Sequence, residues 1–179
     1  MSFYENKVLP HLINFACTSP PINRIRQQIV PKCKGKVLEV GMGSGTNLAF
    51  YQAENIDYLW GLEPSTGMRK KAQKNIQRSA IDVHWLDLPG EQIPLEDESV
   101  DTVLLTFTLC TIPDWKAALT QMHRVLKPKG RLLFSEHGQS PHPAVQKMQN
   151  QLNPYWKKIA GGCNLNRPIS DLISESGFN

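Results

Sequence analysis

The stretch that most constrains the fold runs from Val37 to Tyr51 and reads VLEVGMGSGTNLAFY. A short apolar run of β-branched character, Val37 to Val40, is followed by glycines at 41, 43 and 45, and apolar residues then return at helical spacing. This order predicts a strand, a glycine turn and a helix. Glycines permit positive φ and let a ligand lie directly on the main chain, while free N–H groups at a helix start favour a polar or anionic group.

Glu39 does not fit a plain apolar strand. It lies between Leu38 and Val40, two positions before the first glycine. A carboxylate in a buried strand is costly unless a cationic or hydrogen-bonding group meets it. We therefore expect Glu39 to face a ligand, because a tight turn without a ligand would leave this side chain without an evident partner.

A second acidic residue follows the next predicted strand, which runs from Tyr58 to Leu62. An acid about 20 positions beyond a glycine turn, at the end of the following strand, is placed to bind both hydroxyls of a ribose. Glu63 therefore predicts an adenosine-type ligand, without distinguishing S-adenosylmethionine from NAD; an exposed strand-end charge is the alternative. Ser65 is expected to cap the basic helix that follows.

Three further strands complete an alternating α/β pattern. The third is predicted over Ile81–Trp85, the fourth over Val100–Phe107 and the fifth over Arg131–Glu136. The fourth is almost uninterrupted apolar sequence, which suits a strand buried on both faces of a parallel sheet. Between the last two strands an amphipathic helix, Trp115 to Leu126, should end at the KPKG of 127–130.

These features together resemble the class I S-adenosylmethionine-dependent methyltransferases of the type-11, UbiE-like group. The glycine turn has the pattern E-x-G-x-G-x-G of that family's motif I, whereas a dinucleotide fingerprint requires glycine where this chain has Thr46. The stretch HRVLKPKGRLLF resembles the family's fourth helix and fifth strand. With Glu63, these motifs carry the resemblance from about residue 35 to residue 137. The stretches FTLCTIPD, SEHG and GGCNLNR further resemble a subgroup that methylates alkyl thiols.

The resemblance implies an α/β fold with a Rossmann-like, doubly wound, mostly parallel sheet of order 3-2-1-4-5 and helices on both faces. The antiparallel strands 6 and 7 that usually end the family's domain are expected to be absent. A single methyltransferase domain is expected over 1–179. It would comprise a helical amino-terminal lid or cover (1–34), a cofactor-binding core (35–137) and a carboxyl-terminal helical region (138–179), with one amino-terminal helix from Ile22 to Ile29.

The implied activity is methyl transfer from S-adenosyl-L-methionine to a small-molecule acceptor, with S-adenosyl-L-homocysteine as product. Thiols, quinone precursors and lipid head groups all remain open as acceptors. Glu39 would face the methionine ammonium and Glu63 the ribose. The implied cofactor-binding set is Glu39, Gly41, Met42, Gly43, Gly45, Asn47, Glu63, Pro64, Gly90, Glu91, Thr106, Phe107 and Leu109.

The adenine contact departs from the family's pattern. Pro89 stands where the family often has an aspartate facing the adenine amino group. Two alternatives follow: Asp87 takes that role through a shift of the loop, or backbone groups near Gly90 and Glu91 hold the adenine.

On the acceptor side, His137 follows strand five, at the sheet edge where open α/β folds bind ligands. Its unperturbed pKa near 6.5 suits a general base, and a histidine that only hydrogen-bonds a loop is the alternative. Pocket-wall candidates are Tyr4, Phe15, Cys110 and Trp156. An apolar stripe from Val145 to Ile159 is expected to pack in the core, with pocket wall or membrane-surface contact as alternatives.

Composition bounds the remaining classes. Net charge is +4, and the lysines at 70, 71 and 74 are interpreted as a solvated helix face and not as a nucleic-acid site, since no aromatics interleave them. Cysteines at 17, 33, 110 and 163 show no C-x-x-C spacing. They predict reduced thiols in a cytoplasmic protein and no metal site.

No apolar run approaches the roughly 18 residues of a membrane span, so no transmembrane segment is expected, whereas peripheral membrane contact stays open. A monomer or homodimer is expected. Two other functions remain as alternatives: a cofactor-binding protein that is inactive or needs a partner chain, and an NAD(P)-dependent oxidoreductase.

Overall fold

The computed structural model describes residues 19–178 as one five-stranded sheet with helices packed on it. The strands are β1 Gly35–Val40, β2 Ile56–Leu62, β3 Val83–Leu86, β4 Val100–Thr106 and β5 Leu126–Ser135. The helices are α1 Pro20–Ile29, α2 Thr66–Ile76, α3 Trp115–Val125, α4 Pro143–Ile159 and α5 Ile169–Glu175. Short 3₁₀ turns cover Val30–Lys32, Thr46–Ala49 and Ala53–Asn55.

The strand order is β3-β2-β1-β4-β5 and every strand pair is parallel, which confirms the predicted order. β1 is the central strand, and its Glu39 pairs with Gly61 of β2 and Leu104 of β4. Because parallel strands end at one edge, the loops after β1, β2, β4 and β5 meet there.

Both faces of the central strands, β1 and β4, are buried. Leu38 and Val40 of β1 belong to one apolar cluster, together with the inward faces of α3 and α5. Val37 belongs to a second apolar cluster, together with Val30 and Cys33. Successive side chains of a strand point to opposite faces, so this division shows a sheet covered on two sides, as predicted.

Several predicted boundaries were wrong. The segment after the glycine turn is a four-residue 3₁₀ turn, Thr46–Ala49, and not an α-helix. β3 begins at Val83, two residues later than predicted. β5 begins at Leu126, directly after α3, because residues 127–130 form an irregularity within the strand: Leu126 pairs with Val100, and the next partner pair is Arg131 with Thr102.

The apolar stripe of α4 does not lie in the core, contrary to the prediction. Its members are 38% to 59% exposed: Val145, Met148, Leu152, Trp156 and Ile159. The helix is attached by amide side chains instead. Gln149 Nε2 donates to the carbonyls of Gly138 and Leu165 at 3.0 and 2.9 Å. The helical spacing of the apolar residues therefore predicted the helix correctly. It did not predict correctly which face of the helix is buried.

Two pocket-wall candidates, Tyr4 and Phe15, and most of the proposed lid at 1–34 lie outside the described residues. The predicted helix from Ile22 to Ile29 corresponds to α1. None of the helices in residues 19–178 combines the length and the apolar character needed to cross a bilayer.

We expect Leu104→Ala to destabilise the protein by about 2–5 kcal/mol, because Leu104 is fully buried in the central part of the sheet. Leu152→Ala in α4 is the matched control. It removes the same atoms from a side chain that is 49% exposed, and should change stability by less than about 1 kcal/mol. Urea denaturation of both variants measures the difference; equal losses would contradict the assignment of the core.

Candidate active site at the carboxyl edge of the sheet

Glu39 is only 1% exposed, yet it has partners within the chain. Its Oε1 accepts a hydrogen bond from Asn47 Nδ2 at 2.8 Å, and its Oε2 accepts one from the Tyr51 hydroxyl at 2.7 Å. Both donors come from the segment that follows the glycine turn. The expectation that only a ligand would satisfy Glu39 was therefore wrong.

Asn47 also connects Glu39 to a buried cation. Arg26 of α1 is 5% exposed, and its guanidinium donates to Asn47 Oδ1 and, at 3.1 Å, to Thr106 Oγ1. The guanidinium carbon lies 5.4 Å from the centre of the Phe107 ring. Arg26 was missed by sequence reasoning, since no spacing rule distinguishes it from the other polar residues of its helix.

Burial dominates the electrostatics of Glu39. It raises the pKa of this carboxyl to about 7, although the bonds from Tyr51 and Asn47 and the charge of Arg26 act in the opposite direction. Glu39 can therefore gain or lose a proton near neutral pH.

Glu63 lies at the end of β2 and is 8% exposed. Its Oε2 accepts a hydrogen bond from the Gly43 N–H at 3.0 Å, and its Oε1 accepts one from the Ser65 N–H at 2.8 Å. Burial raises the pKa of Glu63 as well. The structure thus joins the predicted ribose-binding acid directly to the glycine turn, and each carboxylate oxygen keeps a further lone pair.

The three glycines of the turn are needed for different structural reasons. A Cβ on Gly41 would lie 2.2 Å from Thr108 Cγ2, and one on Gly45 would lie 3.1 Å from Leu48 Cδ1, so the chain's own packing explains both. Gly43 has φ +59°, and a Cβ there would meet only the Met68 methyl at 3.3 Å and the Gly41 carbonyl at 3.9 Å. The surface at Gly43 is the open part of the turn, where a ligand can approach the backbone.

Some predicted contacts are buried in the core instead. Met42 is 3% exposed and packs in the second apolar cluster, and Leu109 is fully buried in the first. Their side chains do not face the site, so only their backbone groups remain available. Thr106 is 5% exposed and bonded to Arg26 and Asn47, whereas Pro64 is exposed.

The residues of the two alternatives for the adenine contact have different surroundings in the structure. Asp87 forms a two-pronged ion pair with Arg69, which lowers the pKa of Asp87 and engages both carboxylate oxygens. Glu91 accepts a hydrogen bond from the Asp114 N–H at 3.2 Å, and Gly90 is buried with Ile112 3.2 Å from where its Cβ would be. Arg69 thus engages the Asp87 side chain, and both alternatives for the adenine contact stay predictions.

His137 lies in a cluster with two cysteines. Its Nε2 is 3.2 Å from Cys163 Sγ, and that sulfur is 3.6 Å from Cys110 Sγ. The hydrogen bond with Cys163 raises the pKa of His137, and the Trp156 side chain is among the groups that lower the pKa of Cys163. Cys163 was not among the predicted site residues. The Nε2 of His137 lies against a thiol of the chain, and the role of His137 as a base stays a prediction.

The loop that carries Cys110 is fixed from several directions. Glu136 Oε1 accepts hydrogen bonds from the N–H groups of Thr108 and Leu109 at 2.6 and 3.0 Å. Arg167 donates to the carbonyls of Leu109 and, at 2.8 Å, Ile112. Phe107, at the start of the loop, has φ +54°, an unusual value for a residue with a side chain. A strained conformation held by this many bonds indicates a functional segment.

A five-stranded parallel sheet with a glycine turn after β1 and an acid after β2 defines a Rossmann-like cofactor-binding domain. A family model described as "Methyltransferase domain", of type 11, matches residues 38–134. The chain belongs to this methyltransferase family.

Two curated relatives are the human and rat proteins named thiol S-methyltransferase TMT1B. The human protein is 34% identical over 151 residues, covering 81% of this chain and 61% of the relative. The rat protein is 31% identical over 147 residues, covering 80% and 59%. The chain thus spans about three fifths of the length of these relatives.

The crystal structure of YcgJ from Bacillus subtilis superposes with a TM-score of 0.69 at 22% identity, over 86% of this chain and 66% of that one. This likeness supports the fold independently of the sequence motifs.

We expect the stability of the protein without ligand to depend on pH through Glu39. Its folded pKa of about 7 exceeds the ordinary glutamate value, so its protonated form stabilises the fold at low pH and this contribution is lost as pH rises to 7. Between pH 5 and 8 the wild type should lose about 2–3 kcal/mol relative to Glu39→Gln. Urea unfolding across this range measures it. Glu54→Gln, an exposed control, should follow the wild type, and parallel profiles for all three would contradict the raised pKa.

Proposed function

We propose that this chain binds S-adenosyl-L-methionine and transfers its methyl group to a small-molecule acceptor, with alkyl thiols as the favoured class. The observation that carries the proposal is the hydrogen bond between Glu63 and the Gly43 N–H, 3.0 Å long. It brings the acid that suits a ribose to the one open face of the glycine turn. Membership of the methyltransferase family supports the same cofactor.

The described residues fit this cofactor. Glu63 has free lone pairs for the two ribose hydroxyls, and the surface at Gly43 would be filled by any Cβ. Glu39 supplies negative charge for the methionine ammonium, and backbone groups near Gly90 would hold the adenine. An NAD(P) site is less well supported, because Thr46 breaks the dinucleotide fingerprint.

The cofactor supplies a methyl group on a sulfonium centre, which is already activated for transfer. The chain's own contribution is then to align the acceptor and to exclude water, and orientation alone accounts for about 7–11 kcal/mol of a barrier. The carboxyl groups of Glu39, near the end of β1, of Glu63, after β2, and of Glu136, after β5, all lie at this edge of the sheet. Burial raises the pKa of each, and in their ionised forms they would favour binding of the cationic cofactor.

Alkyl thiols are favoured as acceptors for two reasons. The similar proteins named above are thiol S-methyltransferases. A thiol also ionises more readily than an alcohol, as the ordinary pKa of about 8.5 for a cysteine thiol illustrates, so the reaction places a smaller demand on a base. Three free thiols in the described part of the chain, Cys33, Cys110 and Cys163, support a reducing compartment such as the cytoplasm.

The test is calorimetric titration of the purified chain with S-adenosyl-L-homocysteine, with NADH as the parallel ligand. We expect micromolar binding of the first and none of the second. Gly43→Val should abolish binding, because a side chain at φ +59° would occupy the open surface. Binding of NADH alone, or full affinity in Gly43→Val, would contradict the proposal.

Glu63→Ala should weaken binding of S-adenosyl-L-homocysteine by on the order of 10–100-fold, the loss expected for one hydrogen bond to a charged group. Glu54→Ala removes an exposed carboxylate from the turn before β2 and should bind as the wild type does. Circular dichroism of both variants checks that the fold is retained. Unchanged affinity in Glu63→Ala would show that the ribose lies elsewhere.

A further inference from the structure

Three side chains with soft or imidazole ligand atoms meet beside the proposed cofactor site. Cys110 lies in the loop after β4, His137 follows β5, and Cys163 follows α4. The two sulfur atoms and the imidazole nitrogen all lie within 4.8 Å of one another. Cys110 and Cys163 are 2% and 7% exposed, so bulk water does not separate the groups.

Two of the three separations among these atoms are close to the edges of a tetrahedron around a zinc ion, and the third, between Cys110 and His137, is within 4.8 Å. Zn–S bonds of about 2.3 Å and Zn–N bonds of about 2.0 Å place two sulfurs about 3.8 Å apart and a sulfur and a nitrogen about 3.6 Å apart. The observed Cys110–Cys163 separation is 3.6 Å, and the Cys163–His137 separation is 3.2 Å. Movements of a few tenths of an ångström would bring these two separations to the values for a zinc ion, and the Cys110 and His137 atoms would adjust to the same ion from within 4.8 Å. A disulfide would instead need the sulfurs at about 2.05 Å.

The backbone around Cys163 is built to hold this arrangement. Gly161 and Gly162 both have positive φ, 60° and 88°, and this turns the chain sharply at the end of α4. The Cys163 N–H then donates to the Ala160 carbonyl at 3.1 Å. Asn164 donates twice to the Cys110 carbonyl, from its backbone N–H and its Nδ2, each at 2.9 Å. The two cysteine segments are thus fixed to each other apart from any contact between the sulfurs.

We propose that Cys110, His137 and Cys163 bind one Zn²⁺ ion, and that the thiolate of the methyl acceptor is its fourth ligand. Two thiolates and an imidazole are a ligand set typical of zinc, and three protein ligands with one open position are typical of catalytic zinc sites. The second half of this proposal rests on the proposed methyl transfer to a thiol. His137 then serves as a metal ligand, which replaces its predicted role as a base.

The chemistry balances without a further reactant. The acceptor thiol gives its proton to solvent as its sulfur binds the metal, because coordination of a thiol to Zn²⁺ favours the thiolate. A bond forms between that sulfur and the methyl carbon, and the bond from the methyl carbon to the sulfonium sulfur breaks with its electron pair. The products are the methyl thioether and neutral S-adenosyl-L-homocysteine. Thr108 Oγ1 lies 3.4 Å from the Gly41 carbonyl, so the Cys110 loop directly adjoins the glycine turn.

Zinc binding is tested on the whole chain after dialysis against a chelator, by titration with ZnCl₂ in competition with a chromogenic chelator and by metal analysis. We expect one zinc ion per chain, and affinity lower by on the order of a hundredfold or more in Cys110→Ala, His137→Ala and Cys163→Ala. Cys33→Ala is the matched control, because it removes a buried thiol that belongs to the second apolar cluster. This variant should retain full binding. Absence of stoichiometric zinc, or equal loss in Cys33→Ala, would overturn the site.

The fourth ligand is tested with Co²⁺ in place of Zn²⁺. Addition of propane-1-thiol should increase the thiolate-to-cobalt charge-transfer absorption in the wild type and in Cys33→Ala, and should leave Cys163→Ala without this band increase. An unchanged spectrum with metal bound would overturn the acceptor half of the proposal.

S-adenosyl-L-homocysteine titration of the same samples separates this proposal from the proposed function. If the chain binds S-adenosyl-L-homocysteine but does not bind zinc, only the metal site is overturned. Zinc binding without nucleoside binding overturns the proposed function, and with it the role of the metal in methyl transfer.

Discussion

A buried carboxyl group near the carboxyl end of the central strand is the constraint on which the site depends. Glu39 is almost inaccessible to water, and an unpaired charge there would cost several kcal/mol. The chain satisfies it with Asn47 and Tyr51, which must turn inward immediately after the glycines, and with the charge of Arg26 behind Asn47. The short 3₁₀ turn in place of a regular helix follows from this requirement, since tertiary hydrogen bonds set the local backbone.

The sheet could be predicted because its signals are local. The apolar run of β4 and the strand-turn pattern around Glu39 each occupy a few consecutive residues. The position of Glu63 directly after β2 was predicted for the same reason, and the structure shows it there. The strand order was predicted from the resemblance of the motifs to the methyltransferase family. The buried face of α4 could not be predicted, because periodicity shows that a helix has an apolar stripe and not which element covers it. Leu109 was misassigned because a loop residue can point into the core as well as into a site.

The cysteine–histidine cluster lies beyond any spacing rule. Cys110 and Cys163 are 53 positions apart in the chain, and His137 is 26 positions from Cys163. Sequence patterns for metal ligands depend on pairs a few residues apart, which share a turn or a helix face. Here the parallel sheet brings together loops from the ends of different strands, and the positive φ of Gly161 and Gly162 returns the chain from α4 to the same edge. Only the tertiary structure places these three side chains together.

The strand order also constrains how the protein folds. β1 can pair early with β2, which follows it after fewer than twenty residues, but its other neighbour, β4, begins at Val100. Until β4 pairs with β1, the free edge of β1 exposes unpaired backbone groups beside strongly apolar side chains. Such a surface is prone to association with other chains. During synthesis on the ribosome, this edge of β1 therefore stays unpaired until β4 has been synthesised. Pairing of β4 with β1 removes this exposed edge.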